Sequence, residues 1–492
     1  MNGGENMLHM KDVSFIYENA TNGAAVTNLC ARIPKGQVVL LCGESGSGKT
    51  TFGRLINGLT PSYYEGEMSG DVFVEGKDVR QTELYELAPL VGSVFQNPKS
   101  QFYTLLTDTE IVFACENLGM DKKEILFRFD ETVQSLRIEK LLGRNLFALS
   151  GGEKQKIACA SVSALMPDIF VLDEPSSNLD IGAIQDLQKI LLSWKAQGKT
   201  IVIAEHRLAW LRGIADRVLF FKEGKIEKDL DADSFWAMPP EELHAMGLRA
   251  YSRFAPEKQL RTDGHEQIDL KDIRFSYQKL PVLNIPCLEV PQGAVIAVLG
   301  DNGTGKTTFA RCLCGLLKKA RGSLVYKGKP YVGKKRTSLC YMVMQDVNHQ
   351  LFSESVLDEA MLGTDGPTGV EKEKMTEEIL AGLDLLEYKD AHPMSLSGGQ
   401  RQRVAIAGAI ASKKEIIIFD EPTSGLDYRH MKEVAQNIDQ LSSLGKTQFI
   451  ITHDPELVAA CCNYFIFMEN GTITHRGEWT EENIQIVAEY FD

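Results

Sequence analysis

The chain repeats itself. GESGSGKTT at 43–51 returns as GDNGTGKTT at 300–308, LSGGEKQ at 149–155 as LSGGQRQ at 396–402, and VLDEPSSNLD at 171–180 as IFDEPTSGLD at 418–427. Ser150 and Ser397, Glu174 and Glu421, His206 and His453, and Gly224 and Gly471 all stand 247 residues apart, so the latter parts of both copies share one register. Lys49 and Lys306 stand 257 apart, because 47 residues separate Lys49 from Gln96 and only 39 separate Lys306 from Gln345. A length difference of that kind belongs in a surface loop or at a sheet edge. A solenoid is excluded, since its repeats run to about 20–50 residues. The spacing predicts two similar domains, 7–230 and 266–492, joined by a linker at 231–265. Pro239, Pro240 and Pro256 interrupt that linker, and 240–251 fits a short helix.

Composition narrows the function classes. The 43% of apolar residues among 492 excludes a disordered chain. A net charge of −14 argues against a protein built to grip nucleic acid, which needs clustered Lys and Arg on the phosphates. No nucleic-acid partner is expected. No run approaches 18 apolar residues, and MNGGENMLHMKD has no apolar leader core, so neither a membrane span nor a secretory signal is expected. The ten cysteines include no C-x-x-C pair and read as reduced thiols packed as small apolar residues.

Short apolar runs punctuate each copy. Those at 37–42 and 294–299 end in glycine, those at 169–172 and 416–419 end in Asp-Glu, and those at 200–204 and 447–451 end near histidine. Continuous runs of this length predict central parallel strands buried on both faces. Polar residues at their carboxyl ends fit ligand binding in an open α/β sheet.

The chemistry lies at those ends. Gly43, Glu44, Ser45, Gly46, Ser47, Gly48, Lys49, Thr50 and Thr51 match G-x4-G-K-[ST], as do Gly300, Asp301, Asn302, Gly303, Thr304, Gly305, Lys306, Thr307 and Thr308. The glycines let backbone N–H groups close around phosphates, the lysine reaches the β- and γ-phosphates, and Thr50 or Thr307 ligates Mg²⁺. ATP and Mg²⁺ are the expected cofactors. Asp173 and Asp420 are placed to hold the Mg²⁺ shell, and Glu174 and Glu421 to polarise the attacking water. Ser150, Gly151 and Gly152, like Ser397, Gly398 and Gly399, open helices. Ser150 with Glu153 and Ser397 with Gln400 fit a capping box, while the glycine amides and the hydroxyl also suit a γ-phosphate.

In order, the phosphate loop, a glutamine after a strand (Gln96, Gln345), the LSGGQ-like turn, Asp-Glu, S-x-L-D and a histidine (His206, His453) resemble the ATPase domain of ABC proteins, over both copies. The resemblance implies two α/β P-loop NTPase (ABC-type) nucleotide-binding domains. Each would have a mainly parallel core sheet, an antiparallel β subdomain and a helical subdomain. It implies an intramolecular pseudo-dimer closing head to tail. One site would join Lys49, Thr50, Gln96, Asp173, Glu174 and His206 to Ser397 and Gly399. The other would join Lys306, Thr307, Gln345, Asp420, Glu421 and His453 to Ser150 and Gly152. Gln96 and Gln345 would complete the Mg²⁺ shells, His206 and His453 would act beside the catalytic Glu174 and Glu421, and Tyr17 and Tyr277 match the aromatic that stacks on adenine. The first copy departs from the pattern in LSGGEKQ and in Asn178, where the second has Gly425; Asn adopts positive φ less readily than Gly.

Three stretches look like the duplicated ATP-binding subunit of energy-coupling factor importers, which take up vitamins or transition-metal ions. They are Phe95-Gln96-Asn97-Pro98 with Gln101-Phe102, Met344-Gln345-Asp346 with Gln350-Leu351-Phe352, and Glu205-His206-Arg207. The implied partners are an integral membrane coupling subunit, touched by 97–106 and 346–355, and a small substrate-binding membrane subunit. The implied location is the cytoplasmic face of the cell membrane, peripherally. The tandem ATPase of a sugar importer is an alternative, though such chains often carry one degraded site. A soluble ABC translation factor is another; it calls for a long charged helical linker and basic surfaces.

Overall fold

The computed structural model describes residues 6–18, 24–177, 179–250, 254–259, 266–345, 347–363, 369–396 and 398–491. The chain divides into two compact units, one of residues 1–252 with 425–429 and the other of residues 253–424 with 430–492. The first contains β1 (Asn6–Tyr17), β2 (Val26–Pro34), β3 (Val38–Gly43), β4 (Gly66–Val74), β5 (Lys77–Asp78), β6 (Val91–Val94), β7 (Ile169–Asp173), β8 (Thr200–Ala204), β9 (Arg217–Lys222) and β10 (Lys225–Asp231). Its main sheet has the order β10-β9-β3-β8-β7-β6. All neighbours run parallel except the edge strand β10. β3 and β8 are buried at every residue, whereas β10 alternates between exposed and half-buried. That contrast follows from position: a central parallel strand is covered on both faces and an edge strand is not. A second, antiparallel sheet has the order β2-β1-β4-β5. The helices Thr107–Asn117, Lys122–Leu136 and Gly151–Ser163 pack together as a helical subdomain.

The second unit repeats this plan with β11 (Gln267–Tyr277), β12 (Leu280–Pro291), β13 (Val295–Leu299), β14 (Arg321–Tyr326), β15 (Lys329–Val332), β16 (Cys340–Val343), β17 (Ile416–Asp420), β18 (Thr447–Ile451), β19 (Tyr464–Glu469) and β20 (Thr472–Glu478). The main sheet is β16-β17-β18-β13-β19-β20 and the antiparallel sheet is β12-β11-β14-β15. Helices Val356–Met361, Val370–Gly382 and Gly398–Ala411 form its helical subdomain. The expected fold class is therefore the observed one. Five of the eight extra residues of the first copy fall between Lys49 and β4, where it has the short helix Leu59–Ser62, and three fall between β4 and β6, where it has the helix Leu84–Leu87 and the second unit the 3₁₀ segment Gly333–Ser338. All ten cysteines are free and eight are buried; burial pushes the Cys42 and Cys159 thiols up to about 12, which makes them inert packing groups.

The segment after β10 differs from a linker. Helices Ala232–Trp236 and Pro240–Ala245 carry Phe235 and Leu243, and the residues after them Leu248, all buried, into the core of the first unit beside Ile214 and Val218. The helix expected over 240–251 stops at Ala245, where Gly247 at φ 72° supplies the left-handed residue that ends a helix. Further on, Phe254 packs against Trp479 and Phe491, and Lys258 pairs with Asp439, within the second unit.

Candidate active site

Each phosphate loop links a buried strand to a helix, β3 to Lys49–Ile56 and β13 to Lys306–Leu313. Only glycine fits where the strand ends: a Cβ on Gly43 would lie 2.3 Å from the carbonyl oxygen of Phe221, and one on Gly300 2.2 Å from that of Met468. Gly48 and Gly305 then take φ 104° and 100° as helix N-caps, a conformation a side chain would strain. The lysines are buried and folded onto their own loops. Lys49 Nζ donates to the carbonyls of Gly43 (2.9 Å) and Glu44 (2.8 Å), and Lys306 Nζ to those of Gly300 (2.5 Å) and Asp301 (2.8 Å). Burial pulls the Lys49 ammonium below its ordinary pKa, against the opposing charge of Glu174 and Asp173.

The strands beside the loops bring up the acids. Thr50 Oγ1 donates to Asp173 Oδ1 at 3.2 Å, and Thr307 Oγ1 to Asp420 Oδ1 at 3.3 Å. Burial raises both aspartates above the usual carboxylate range, and the Glu174 charge adds to this at Asp173. A hydroxyl and a carboxylate side by side suit Mg²⁺, which takes few protein oxygens and fills its octahedron with phosphate and water. Glu174 and Glu421 both have positive φ, 44° and 50°, which non-glycine residues adopt at a cost. Gln96 Nε2 donates to Glu174 Oε2 at 2.7 Å, and His206 Nε2 lies 3.2 Å from Glu174 Oε1. His453 Nε2 lies 3.5 Å from Glu421 Oε1. The loop lysine, Thr, Asp, Glu and His of each copy are thus gathered at the carboxyl ends of adjacent strands; Gln345 follows β16 in the same manner as Gln96 follows β6.

The aromatics differ between copies. The Tyr17 hydroxyl shares a hydrogen bond with Thr51 Oγ1 (3.1 Å) and accepts one from Arg54 (3.1 Å), whose guanidinium also lies over the Tyr64 ring at 3.9 Å. Tyr277 is 44% exposed and, like Tyr17 on Phe15, stands edge-on to the phenylalanine two residues before it, Phe275. At the first serine-glycine turn the capping box is formed: Ser150 Oγ accepts from Glu153 N, and Glu153 Oε2 from Ser150 N. Glu153 also pairs with Arg144 at 2.6 Å. Burial alone would raise its carboxyl, but these bonds hold it below its ordinary value. Gly151 is exposed, and Gly152 has no room for a Cβ, which would lie 2.6 Å from that of Ala183. Gly398 begins the matching helix; Ser397 and Asn178 lie outside the described residues.

Two features escaped motif reading. In the first copy buried Glu205, just before the histidine, bonds Ser176 Oγ and accepts from Trp210 Nε1 at 3.3 Å. In the second copy the acid stands just after the histidine: Asp454 Oδ2 accepts from Thr423 Oγ1 at 2.6 Å. Either way a hydroxyl after the Asp-Glu pair is clasped by a carboxyl beside the histidine. The second feature braces the segments after the glutamines. Glu110 accepts from the backbone of Tyr103 and Thr104, and Glu359 from that of Phe352 and Ser353. Gln101 and Gln350 accept from Phe95 N and Met344 N. Repetition of these partners in both copies is the one signal by which they were legible.

The family model for the ABC transporter matches residues 26–177 and 283–424. The chain belongs to the ABC transporter family. As a member it is a tandem ATP-hydrolysing ABC ATPase that works with ATP and Mg²⁺. A putative ABC transporter ATP-binding protein of Treponema denticola is 44% identical, over 95% of this chain and 96% of that one. A putative ABC transporter ATP-binding protein of Methanosarcina mazei is 30% identical, over 96% of this chain and 89% of that one. Among solved structures, ribosome-bound archaeal Pelota and ABCE1 gives a match with a TM-score of 0.69 at 21% identity, covering 97% of this chain and 80% of the other. At that identity the likeness speaks for the tandem ABC fold.

Proposed function

We propose that this ABC ATPase powers a membrane importer of the energy-coupling kind, for a vitamin or a transition-metal ion. Its partners are then a separate integral coupling subunit and a small substrate-binding membrane subunit. The observation that carries the reading is the pair of braced segments after Gln96 and Gln345. They present Tyr103 (77% exposed), Leu105 and Leu106 in one unit and Phe352 (74% exposed) in the other. Buried Glu110 and Glu359 hold each segment in shape, so apolar side chains stand out on stiff loops next to the catalytic acids. A docked helix would feel the state of Glu174 through Gln96, its 2.7 Å partner. The relatives' names, which speak of transporters, favour the same reading.

Within this proposal the loop amides and Lys49 or Lys306 grip the phosphates. Thr50 with Asp173, and Thr307 with Asp420, hold Mg²⁺, joined by Gln96 and Gln345. Glu174 and Glu421 orient water, and His206 and His453 hold the γ-phosphate end. Ser150 to Gly152 and Ser397 to Gly399 add donors to that phosphate, and Tyr17 and Tyr277 stack on adenine. The chemistry is positioning and charge neutralisation.

A second reading, a soluble ribosome-associated ABC factor, is favoured by the whole-chain fold likeness to ribosome-bound archaeal Pelota and ABCE1. Affinity capture of the chain from detergent-solubilised membranes separates the two. Copurifying small hydrophobic and coupling subunits support the importer; two large permeases with a soluble binding protein move it to a conventional importer; ribosomal proteins alone support the factor and overturn transport.

A further inference from the structure

The C-terminal helix Glu481–Phe491 follows β20 and buries Val487 and Ala488 against the second unit. Its penultimate residue, Tyr490, is half-buried, edge-on to Phe467 with ring centres 4.9 Å apart and beside Phe491. Its hydroxyl lies 2.8 Å from Nδ1 of His453, whose other nitrogen, Nε2, faces Glu421 Oε1. We propose that Tyr490 is a positioning residue for His453, fixing which ring nitrogen the second nucleotide site is offered.

The argument is one of donors and acceptors. A neutral imidazole has one N–H and one bare nitrogen, and an ionised carboxylate only accepts. The formed bond is the one at Nδ1, while the buried Nε2 approaches Glu421 Oε1 only to 3.5 Å; a ring that is to offer a donor on that side carries its proton on Nε2, which leaves Nδ1 to accept. Tyr490 then donates to Nδ1. The bond at one nitrogen sets the proton at the other, and a flipped ring would lose the Tyr490 bond. The aromatic packing of Tyr490 on Phe467 holds the phenol in place. The device belongs to one copy. The strands β10 and β20 keep the 247-residue spacing of the repeat, and that spacing puts Leu243 where the second copy has Tyr490. Leu243 has no hydrogen-bonding group and is a core residue of the first unit. The C-terminal helix thus reaches the chemistry of the second copy by a contact the first copy does not repeat at this position.

The inference rests on the reading of His453 as a group that acts at ATP, and the test separates the two. Full-length Y490F, H453A and the double variant, each made in a Glu174→Gln chain so that the first site is silent, are compared with that chain in steady-state ATPase, ATP binding and ¹⁵N imidazole spectra of the nucleotide-free protein. Y490F is expected to lower kcat about 3–10-fold, the worth of one hydrogen bond, with KM and ATP affinity within about twofold. It should add no further loss to H453A, and the His453 nitrogens should move from the Nε2–H pattern toward a mixture. A parent-like kcat and ¹⁵N pattern in Y490F, beside an impaired H453A, overturns the proposal alone. So does a Y490F loss that adds fully to that of H453A. Parent turnover in H453A overturns the role of the histidine and the proposal with it.

Discussion

Glu205→Gln is a sharp test of the first copy's interior. Glu205 is 2% exposed. Burial first, and then the Glu174 charge, push its carboxyl well above the usual range, while the Trp210 N–H and Arg207 pull it back. A carboxyl with a raised folded-state pKa keeps its proton in the folded chain after the unfolded chain has lost it. The unfolded state then binds fewer protons, so stability falls as pH rises from the ordinary carboxylate value, about 4.3, to the folded value. The slope reaches about 1.4 kcal/mol per pH unit in that window, and the loss levels off above it. Glutamine has the shape and no titration. Its amide nitrogen still needs an acceptor, a pH-independent cost of about 1–3 kcal/mol. The variant should start near or below the parent at about pH 5 and gain on it by up to about 1.4 kcal/mol per unit as pH rises. Urea unfolding followed by tryptophan fluorescence reads this directly, because Trp194, Trp210 and Trp236 of the four tryptophans lie in the first unit. Titrations common to both chains cancel in the difference. Parallel stability curves across pH 5–8 would refute the reasoning, since they would mean that Glu205 ionises as freely folded as unfolded.

Phe235→Ala should cost about 3–5 kcal/mol in the same assay, because its ring is fully buried in the first unit's core; a loss below about 1 kcal/mol would return 231–250 to the status of a linker. Glu421→Gln, made in a Glu174→Gln chain so that only the second site is read, should keep ATP binding in equilibrium dialysis while phosphate release falls about 10²–10⁴-fold, the usual worth of a general base. Parent-rate hydrolysis would remove Glu421 from that role. Lys49→Ala should weaken nucleotide binding at one of two sites in a titration with a fluorescent ATP analogue, and loss of all binding would contradict two separate phosphate loops.

The strands were legible because their residues are covered on both faces. A run such as Thr200–Ala204 has no polar period to confuse it, and the observed strand has those same bounds. The phosphate loops were legible because their glycines recur in a fixed local spacing and take positive φ, although what crowds them comes from far along the chain: Phe221 and Met468 at the strand ends, Val26 and Leu283 at the helix starts. What escaped depends on partners far along the chain. Nothing within 231–250 says that Phe235 faces the core, because its apolar neighbours come from strands and helices earlier in the unit. Glu205 meets Ser176 across 29 positions, and His453 meets Tyr490 across 37. The capping box at Ser150 was one of two readings, and the structure forms it.

The hydroxyl–carboxyl clasp beside each histidine bears on how the two copies diverged. One copy reaches the hydroxyl from the residue before the histidine and the other from the residue after it. No single substitution converts one arrangement into the other. Moving Glu205 to threonine first leaves Ser176 without its acid; changing Arg207 to aspartate first crowds two acids into one buried corner. Each residue is therefore acceptable only in the company of its own copy, and a change that is neutral in one half is harmful when transplanted to the other. The duplication began with interchangeable parts, and these two short turns have since become mutually exclusive.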